Sequence, residues 1–286
     1  MREAQPSATA RRVAIRRAAH QLLDVPPVFD DPLALSIIGR KDADALRADP
    51  ARYNRSVFLR YLRAFLAVRH RVAEDALAAG LARGVTQYVV LGAGLDTFAY
   101  RNTNAALRVF EVDAPSTQAW KRQLLQAEGI ATPSNLTFVP VDFETQSLAD
   151  ELARAGFDTN AKTVFAWLGV SMYLTLDAVM ATLRYISDAT ANGGGVVFDY
   201  ASHPKWWRLW QRLGARLLRA RVAAAGEPFR TFFTAGDLTA RLRTLGFTDI
   251  ENLGSDTLNR RYFANRSDGL RLGTLGNIMT AFRWNT

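Results

Sequence analysis

The chain contains no cysteine. That absence excludes disulfides, thiolate zinc sites and cysteine nucleophiles. Histidine is scarce: His20, His70 and His203 are the only three, far apart in sequence. A histidine-rich metal site is therefore not expected. No apolar run approaches the roughly 18–20 residues that a membrane span needs. The opening stretch "MREAQPSATARR" lacks the apolar core of a secretory signal. The expectation is a cytoplasmic protein. Lysine is rare as well, four among 36 lysines and arginines, so arginine carries the net charge of +9. A basic balance invites a nucleic-acid reading. Zinc-finger spacing, an RNP-type aromatic motif and a lysine-rich tail are all missing, and arginines and acids are interleaved along the chain. No nucleic-acid partner is expected, whereas attraction of an anionic small-molecule substrate is compatible with the charge.

What is present is ordinary for a globular protein. With 286 residues, 49% hydrophobic and 22% charged, the chain has enough length to bury about 75% of its unfolded surface. Residues 8–23 carry apolar side chains at 13, 15, 18, 19, 22 and 23, close to helical spacing. "VPPVFDDP" interrupts, and 55–84 reads as one long or broken helix ending on Gly84. Apolar strand candidates then follow at 86–94, 107–113, 136–142, 163–169 and 194–200, with helical stretches between them, for example 115–128 and 176–191. Strands alternating with helices predict an α/β fold, a mostly parallel sheet covered on both faces. A long helix after residue 204, a helix near 236–245, the strand "FTDIENLG" and a last strand at 277–284 complete the pattern. One domain over 1–286 is expected: a helical cap and entry helices (1–84), a cofactor-binding core (85–202), and lid helices with final strands (203–286).

The first strand runs into "GAGLDT", with Gly92, Ala93 and Gly94 at its end. Glycines there let a ligand approach the backbone at the carboxyl ends of the strands. The dinucleotide fingerprint G-x-G-x-x-G is incomplete, because Thr97 stands at the third position. A tight turn alone would explain a bare G-x-G. The second strand ends in Asp113, 19 residues after Gly94, where an acid can accept from both hydroxyls of an adenosine ribose. The third ends in Asp142 and Phe143, an acceptor for an adenine amino group and an apolar wall. Each acid could instead be a cap or a solvated loop residue. Together the three strand ends favour an adenosine ligand without a pyrophosphate, and S-adenosylmethionine (SAM) fits that description. Asp96 could meet its ammonium group, and Arg69 its carboxylate in fork geometry.

At these residues the chain resembles the SAM-dependent methyltransferases of the leucine carboxyl methyltransferase type, in particular their bacterial branch. The matching stretches include "LAVRHRVAEDAL", "YVVLGAGLDTFAYR", "VFEVDAPSTQAWKR", "FVPVDFE", "GVSMYLT" and "RYFANRSDGL". The resemblance implies SAM contacts at Arg69, Gly92, Gly94, Asp113, Asp142 and Phe143. It also implies the class I methyltransferase sheet, a Rossmann-like arrangement whose last strand is antiparallel and inserted between its neighbours. One position departs from the pattern. The family usually has a glutamate before "GVSMYL", where it helps to hold SAM, and this chain has Leu168. Glu111 or Asp96 could substitute for the lost carboxylate.

Methyl transfer from SAM is an in-line displacement, and orientation of the acceptor can supply about 7–11 kcal/mol. A carboxylate acceptor needs no base, whereas a hydroxyl does. The expectation is O-methylation of one or the other on a small molecule, including natural products. Tyr173 is the candidate for orienting the acceptor and His203 the candidate base. The segment 204–223, with Trp206, Trp207 and Trp210 among arginines, reads as a lid or pocket wall, or as a surface for a membrane. The alternatives are a SAM-binding relative with reduced activity, suggested by Leu168, and an NAD-dependent oxidoreductase, disfavoured by the missing third glycine.

Overall fold

The computed structural model describes residues 7–142, 145–202, 229–274 and 276–284. Seven strands form one sheet: β1 (Gln87–Leu91), β2 (Arg108–Asp113), β3 (Leu136–Pro140), β4 (Thr163–Trp167), β5 (Gly194–Tyr200), β6 (Asp249–Leu253) and β7 (Asn277–Arg283). Their order across the sheet is β3-β2-β1-β4-β5-β7-β6. The first five are parallel, and β7 lies antiparallel between β5 and β6. This is the inserted antiparallel strand that the resemblance implies. The chain fills the sheet outward from β1 through β2 to β3, then starts again beside β1 with β4. The reversal falls between β1 and β4, and in open α/β sheets ligands bind at such a switch point, outside the carboxyl ends of the strands.

The composition of the central strands explains their place. Every residue of β1 (QYVVL), β4 (TVFAW) and β5 (GGVVFDY) is buried, as expected for parallel strands covered on both faces. Alternate side chains serve opposite faces. Tyr88 and Val90 join the layer beneath α3 (Val57–Leu81), with Val68, Val72 and Leu77. Val89 and Leu91 join the layer beneath α7 (Leu176–Ala189), with Val179, Leu183 and Ile186. On that second face Leu238 and Leu242 of a later helix, Ala235–Thr244, complete the layer.

A third apolar cluster packs α1 (Ala8–Leu23) and α2 (Arg40–Ala48) on α5 (Pro115–Ala127), through Ala14, Ala18, Ile37, Leu46 and Leu125. Helix α1 starts on Ser7, whose side chain accepts the Ala10 N–H, and α3 starts on Ser56, which does the same for Leu59. These caps satisfy N–H groups that a helix start leaves unpaired. Within the predicted 55–84 segment α3 is a single unbroken helix that stops at Leu81, and Gly84 lies beyond it at φ +87°. Four shorter helices escape the hydrophobic pattern: α2, α4 (Phe98–Arg101), α6 (Leu148–Arg154) and the segment Ser255–Tyr262. In chain order Ala235–Thr244 is α8 and Ser255–Tyr262 is α9. The predicted helix after residue 204 falls outside the described residues.

One polar pair lies inside this packing. Glu111 in β2 and Lys121 in α5 are each 1% exposed, with Nζ donating to Oε2 at 2.6 Å. Burial pushes the Glu111 carboxyl from 4.5 up to about 7, against the pull of Lys121. Between those two values the folded chain holds a proton that the unfolded chain has lost, so this group lowers stability as pH rises across that window. Removing one partner of a buried pair costs about 3–5 kcal/mol. Lys121→Met also removes the pull that holds the Glu111 pKa down, so the carboxyl must take up a proton for the variant to fold at pH 8. The loss should approach that figure at pH 8 and be distinctly less at pH 5.5, where Glu111 is already protonated. Urea unfolding midpoints at the two pH values measure the difference, and an equal loss at both would contradict the reading.

Candidate functional site

The strand ends at the switch point carry most of the residues singled out from the sequence. β1 stops at Leu91, and Gly92 and Gly94 then turn the chain at φ +68° and +49°, a region that disfavours side chains with a Cβ. Space matters as well as conformation. A Cβ on Gly92 would sit 2.4 Å from Val170 Cγ2, and one on Gly94 would sit 3.1 Å from Ala10 Cβ. The loop is therefore pressed between the turn after β4 and the start of α1.

Asp113, at the end of the neighbouring β2, holds this loop in shape. Its Oδ2 accepts the Gly94 N–H at 2.6 Å and its Oδ1 accepts the Ala114 N–H at 2.7 Å. Burial raises its pKa above the ordinary 3.8, with the two N–H groups acting in the opposite direction. Asp142 lies just past β3 and is exposed. Its Oδ2 accepts from the Thr145 hydroxyl at 2.9 Å, and its N–H donates to Gln146. Phe143 falls outside the described residues. β1, β2 and β3 are neighbours in the sheet, so the glycine loop, Asp113 and Asp142 share one edge.

Asp96 turns inward from the same loop. Its Oδ1 accepts the Phe98 N–H at 2.7 Å. Burial would raise its pKa, but its surroundings, with the cations Arg17 and Lys121 and the Phe98 N–H among them, outweigh that, and the carboxyl sits below its ordinary value. His70 lies opposite. Its Nδ1 faces the Leu66 carbonyl at 2.8 Å and its Nε2 faces Arg17 Nη1 at 3.4 Å. Burial, with Arg17 beside it, drives the ring pKa down to about 3. The ring is thus neutral with its proton on Nδ1, and its 3.6 Å approach to Asp96 is not an ion pair.

Arg17 ties the N-terminal helix to the loop. Its guanidinium is 2% exposed and meets Asp31 at 2.8 Å, while Nη2 donates to the Leu95 carbonyl at 2.6 Å. Asp31 in turn accepts from the Thr97 hydroxyl at 2.8 Å. The other buried histidine, His20, is spent on structure. Its Nδ1 meets Asp24 at 2.7 Å, and its Nε2 accepts the Val28 N–H at 2.9 Å.

On the other side of the switch point, Arg69 of α3 reaches the loop after β4. Nη1 donates to Asp199 Oδ2 at 2.9 Å, and the guanidinium lies against Gly169, where a Cβ would be 2.8 Å from Nη1. Asp199 belongs to β5 and is fully buried, and its Oδ1 accepts the Gly169 N–H. The Arg69 Nε is buried with no hydrogen-bond partner. Leu168, where the resemblance implies a glutamate, packs on the apolar layer beneath α3.

Tyr173 sits in the short turn Ser171–Tyr173 that follows β4. Its ring stands edge-on to Phe229 with centroids 5.3 Å apart. The returning chain is tied to this turn by the Arg230 N–H on the Met172 carbonyl at 2.8 Å and by the Thr231 hydroxyl on the Leu174 carbonyl at 2.6 Å. His203 and the tryptophans of 204–223 lie outside the described residues.

Sequence reading missed Asp199, Arg17 and Asp31. Asp199 had a signal: it is the single charged residue in the fully buried strand GGVVFDY, and a buried charge needs a partner. Arg17 and Asp31 had none, since their partners come from the fold. Among the described residues no cluster of three or more His, Asp or Glu could hold a metal ion, and no helix is long and apolar enough to cross a membrane.

Comparison with known proteins gives the family and the fold. The pattern of the family described as Leucine carboxyl methyltransferase matches residues 10–187. A Bacillus subtilis protein, YktD, provisionally named as an S-adenosyl-L-methionine-dependent methyltransferase, is 33% identical over 94% of this chain and 95% of its own. A Frankia alni protein of the same provisional name is 33% identical over 65% of both chains. Among solved structures, a Streptomyces avermitilis protein of the DUF574 family has the same fold, with a TM-score of 0.59 at 15% identity over 98% of both chains. The glycine loop, Asp113, Arg69 and the turn carrying Tyr173 all lie within the matched region, and the chain belongs to the leucine carboxyl methyltransferase family.

Proposed function

We propose that this chain transfers a methyl group from SAM to an oxygen of a small molecule, a carboxylate in the first place and a hydroxyl in the second. SAM as cofactor and methyl transfer as reaction follow from the family. The acceptor is our reading. We also take the chain to act as one methyltransferase domain over 1–286, in the cytoplasm.

The residues present fit SAM. Gly92, Ala93 and Gly94 offer a close-packed backbone at the switch point, Asp113 offers a half-buried acceptor, and Arg69 Nε is a donor without an acceptor. Asp113 would accept from the ribose hydroxyls and Arg69 would pair with the carboxylate. Asp142 and Phe143 would bound the adenine, and Leu168 would give only an apolar contact. When bound, SAM supplies a methyl carbon activated by its sulfonium.

The chain's own part is to hold the acceptor in line and exclude water. Tyr173 and Phe229 are aromatic neighbours beside the end of β4, suited to one wall of an acceptor site. The observation that favours a carboxylate concerns the histidines. Both described histidines are buried in contacts of their own, and His70 stays neutral down to about pH 3. A carboxylate is anionic at neutral pH and needs no base. A hydroxyl acceptor would rely on His203, and His203→Ala should then abolish turnover.

Two measurements test the reading. In calorimetry, S-adenosylhomocysteine should bind and NAD should not. Asp113→Ala, which loses a charge-assisted acceptor of about 1.5–3 kcal/mol, should bind it roughly 10- to 150-fold more weakly. Because the Asp113 carboxyl lies above 3.8, wild-type binding should weaken as pH falls, with a midpoint above that value. Undiminished affinity in Asp113→Ala would remove the ribose assignment. Secondly, a panel of carboxylic acids and phenols with methyl-labelled SAM should give products that release methanol in alkali, as esters do. An alkali-stable label would move the acceptor to a hydroxyl. Binding without turnover on any acceptor would point to a relative that kept the cofactor and lost the reaction.

A further inference from the structure

Leu168 is packed into the apolar layer beneath α3. The residue after it, Gly169, has a carboxylate on its N–H, and that carboxylate comes from β5. Asp199 Oδ1 accepts that N–H, and Asp199 Oδ2 accepts from Arg69 Nη1 at 2.9 Å. One buried acid therefore joins three elements: α3, the loop after β4, and β5.

The arrangement fixes Arg69 in a particular pose. Its side chain is 6% exposed. A Cβ on Gly169 would lie 2.8 Å from Nη1, 2.9 Å from Nη2 and 3.2 Å from Cζ, so the guanidinium rests against the glycine. Gly169 itself has φ +76°. Asp199 engages Nη1. Nε is buried and unpartnered, and no hydrogen bond among the described residues uses Nη2. The Nε–Nη2 edge is one that can take a carboxylate with two parallel bonds. A buried donor left unpaired is unfavourable, and a carboxylate bound there would satisfy it.

We propose that Asp199 is the positioning residue for the amino-acid end of the cofactor. By engaging Nη1 and fixing Gly169 from β5, it turns the free edge of Arg69 toward the cofactor carboxylate. The inference rests on the SAM reading of this site. It assigns Asp199 to selecting cofactors that carry an amino-acid group, with no direct contact to the reacting atoms. The Arg69–Asp199 pair is neutral as a unit, so the buried arginine is compensated before any ligand arrives.

The test compares two ligands on the full chain. S-adenosylhomocysteine carries the amino-acid group, and 5′-methylthioadenosine shares its adenosine and thioether but lacks that group. Asp199→Asn should weaken S-adenosylhomocysteine roughly 10- to 150-fold and leave 5′-methylthioadenosine within about two-fold. Arg69→Lys should show the same selective loss, and the double variant should be no worse than the weaker single one, because the two residues act as a unit. Asp199→Glu should recover part of the selectivity. Should Asp199→Asn fail to fold, Arg69→Lys and Asp199→Glu carry the comparison. An equal loss for both ligands would reduce Asp199 to a structural residue, and no loss for either would remove the assignment. If wild-type chain binds neither ligand, the cofactor reading itself fails, and that result is distinct from the other two.

Discussion

Two carboxylates, one half-buried and one fully buried, each borne by a strand and each holding a neighbouring loop by its glycine N–H, set the shape of the site. Asp113 of β2 binds Gly94 in the loop after β1. Asp199 of β5 binds Gly169 in the loop after β4. β1 and β4 are the central pair, and β2 and β5 flank them, so the same device appears on either side of the switch point. A carboxylate that accepts backbone N–H groups is favoured in its charged form. Burial opposes it. At Asp113 burial wins and the pKa is raised, leaving a desolvated acceptor at the place where a hydroxylated ligand would offer donors.

Local hydrogen bonds, such as that of the Phe98 N–H to Asp96, turn the loops but do not fix their glycines against the rest of the fold. Gly92, Gly94 and Gly169 all have positive φ, and each adjoins side chains from distant parts of the chain: Val170, Ala10 and Arg69. The N-terminal helix adds a further fastening through Arg17, which reaches the Leu95 carbonyl, Asp31 and His70. Charged residues from α1, the proline-rich segment, α3 and the glycine loop meet within one buried network. Their desolvation makes such a network weak as a source of stability. Its consequence is geometric: the start of α1 is held against Gly94, and the site edge is built from both the helical cap and the sheet.

Much of this was legible in the sequence, for identifiable reasons. The strands of the parallel core read as short apolar runs because they are covered on both faces, and GGVVFDY was bounded to the residue. The glycine pair and Asp113 stood out because their spacing maps onto adjacent strand ends. The helix Arg40–Ala48 was missed because only Ala43 and Leu46 are buried in it, too few for a period to show. Ser255–Tyr262 buries Leu258 alone. Asp199 was passed over because its meaning depends on Arg69, 130 residues earlier. The role of Lys121 was hidden because its partner, Glu111, faces it only once α5 has folded back over β2. Glu111 had been a candidate for replacing the family glutamate. Its pairing with Lys121 inside the core assigns it a structural place, and the carboxylate that holds the neighbouring Gly169 N–H is that of Asp199.

The most direct test of the account is amide hydrogen exchange with and without S-adenosylhomocysteine. Ligand at the switch point predicts slowed exchange in the loops after β1, β2 and β4, around Gly94, Ala114 and Gly169. A separate cavity of about 530 Å³ lies between α1, α2 and α5, lined by Arg11, Gly39, Trp120 and Leu124 among others, and it serves as the internal control. Protection confined to that cavity, with the three loops unchanged, would contradict the assignment of the site.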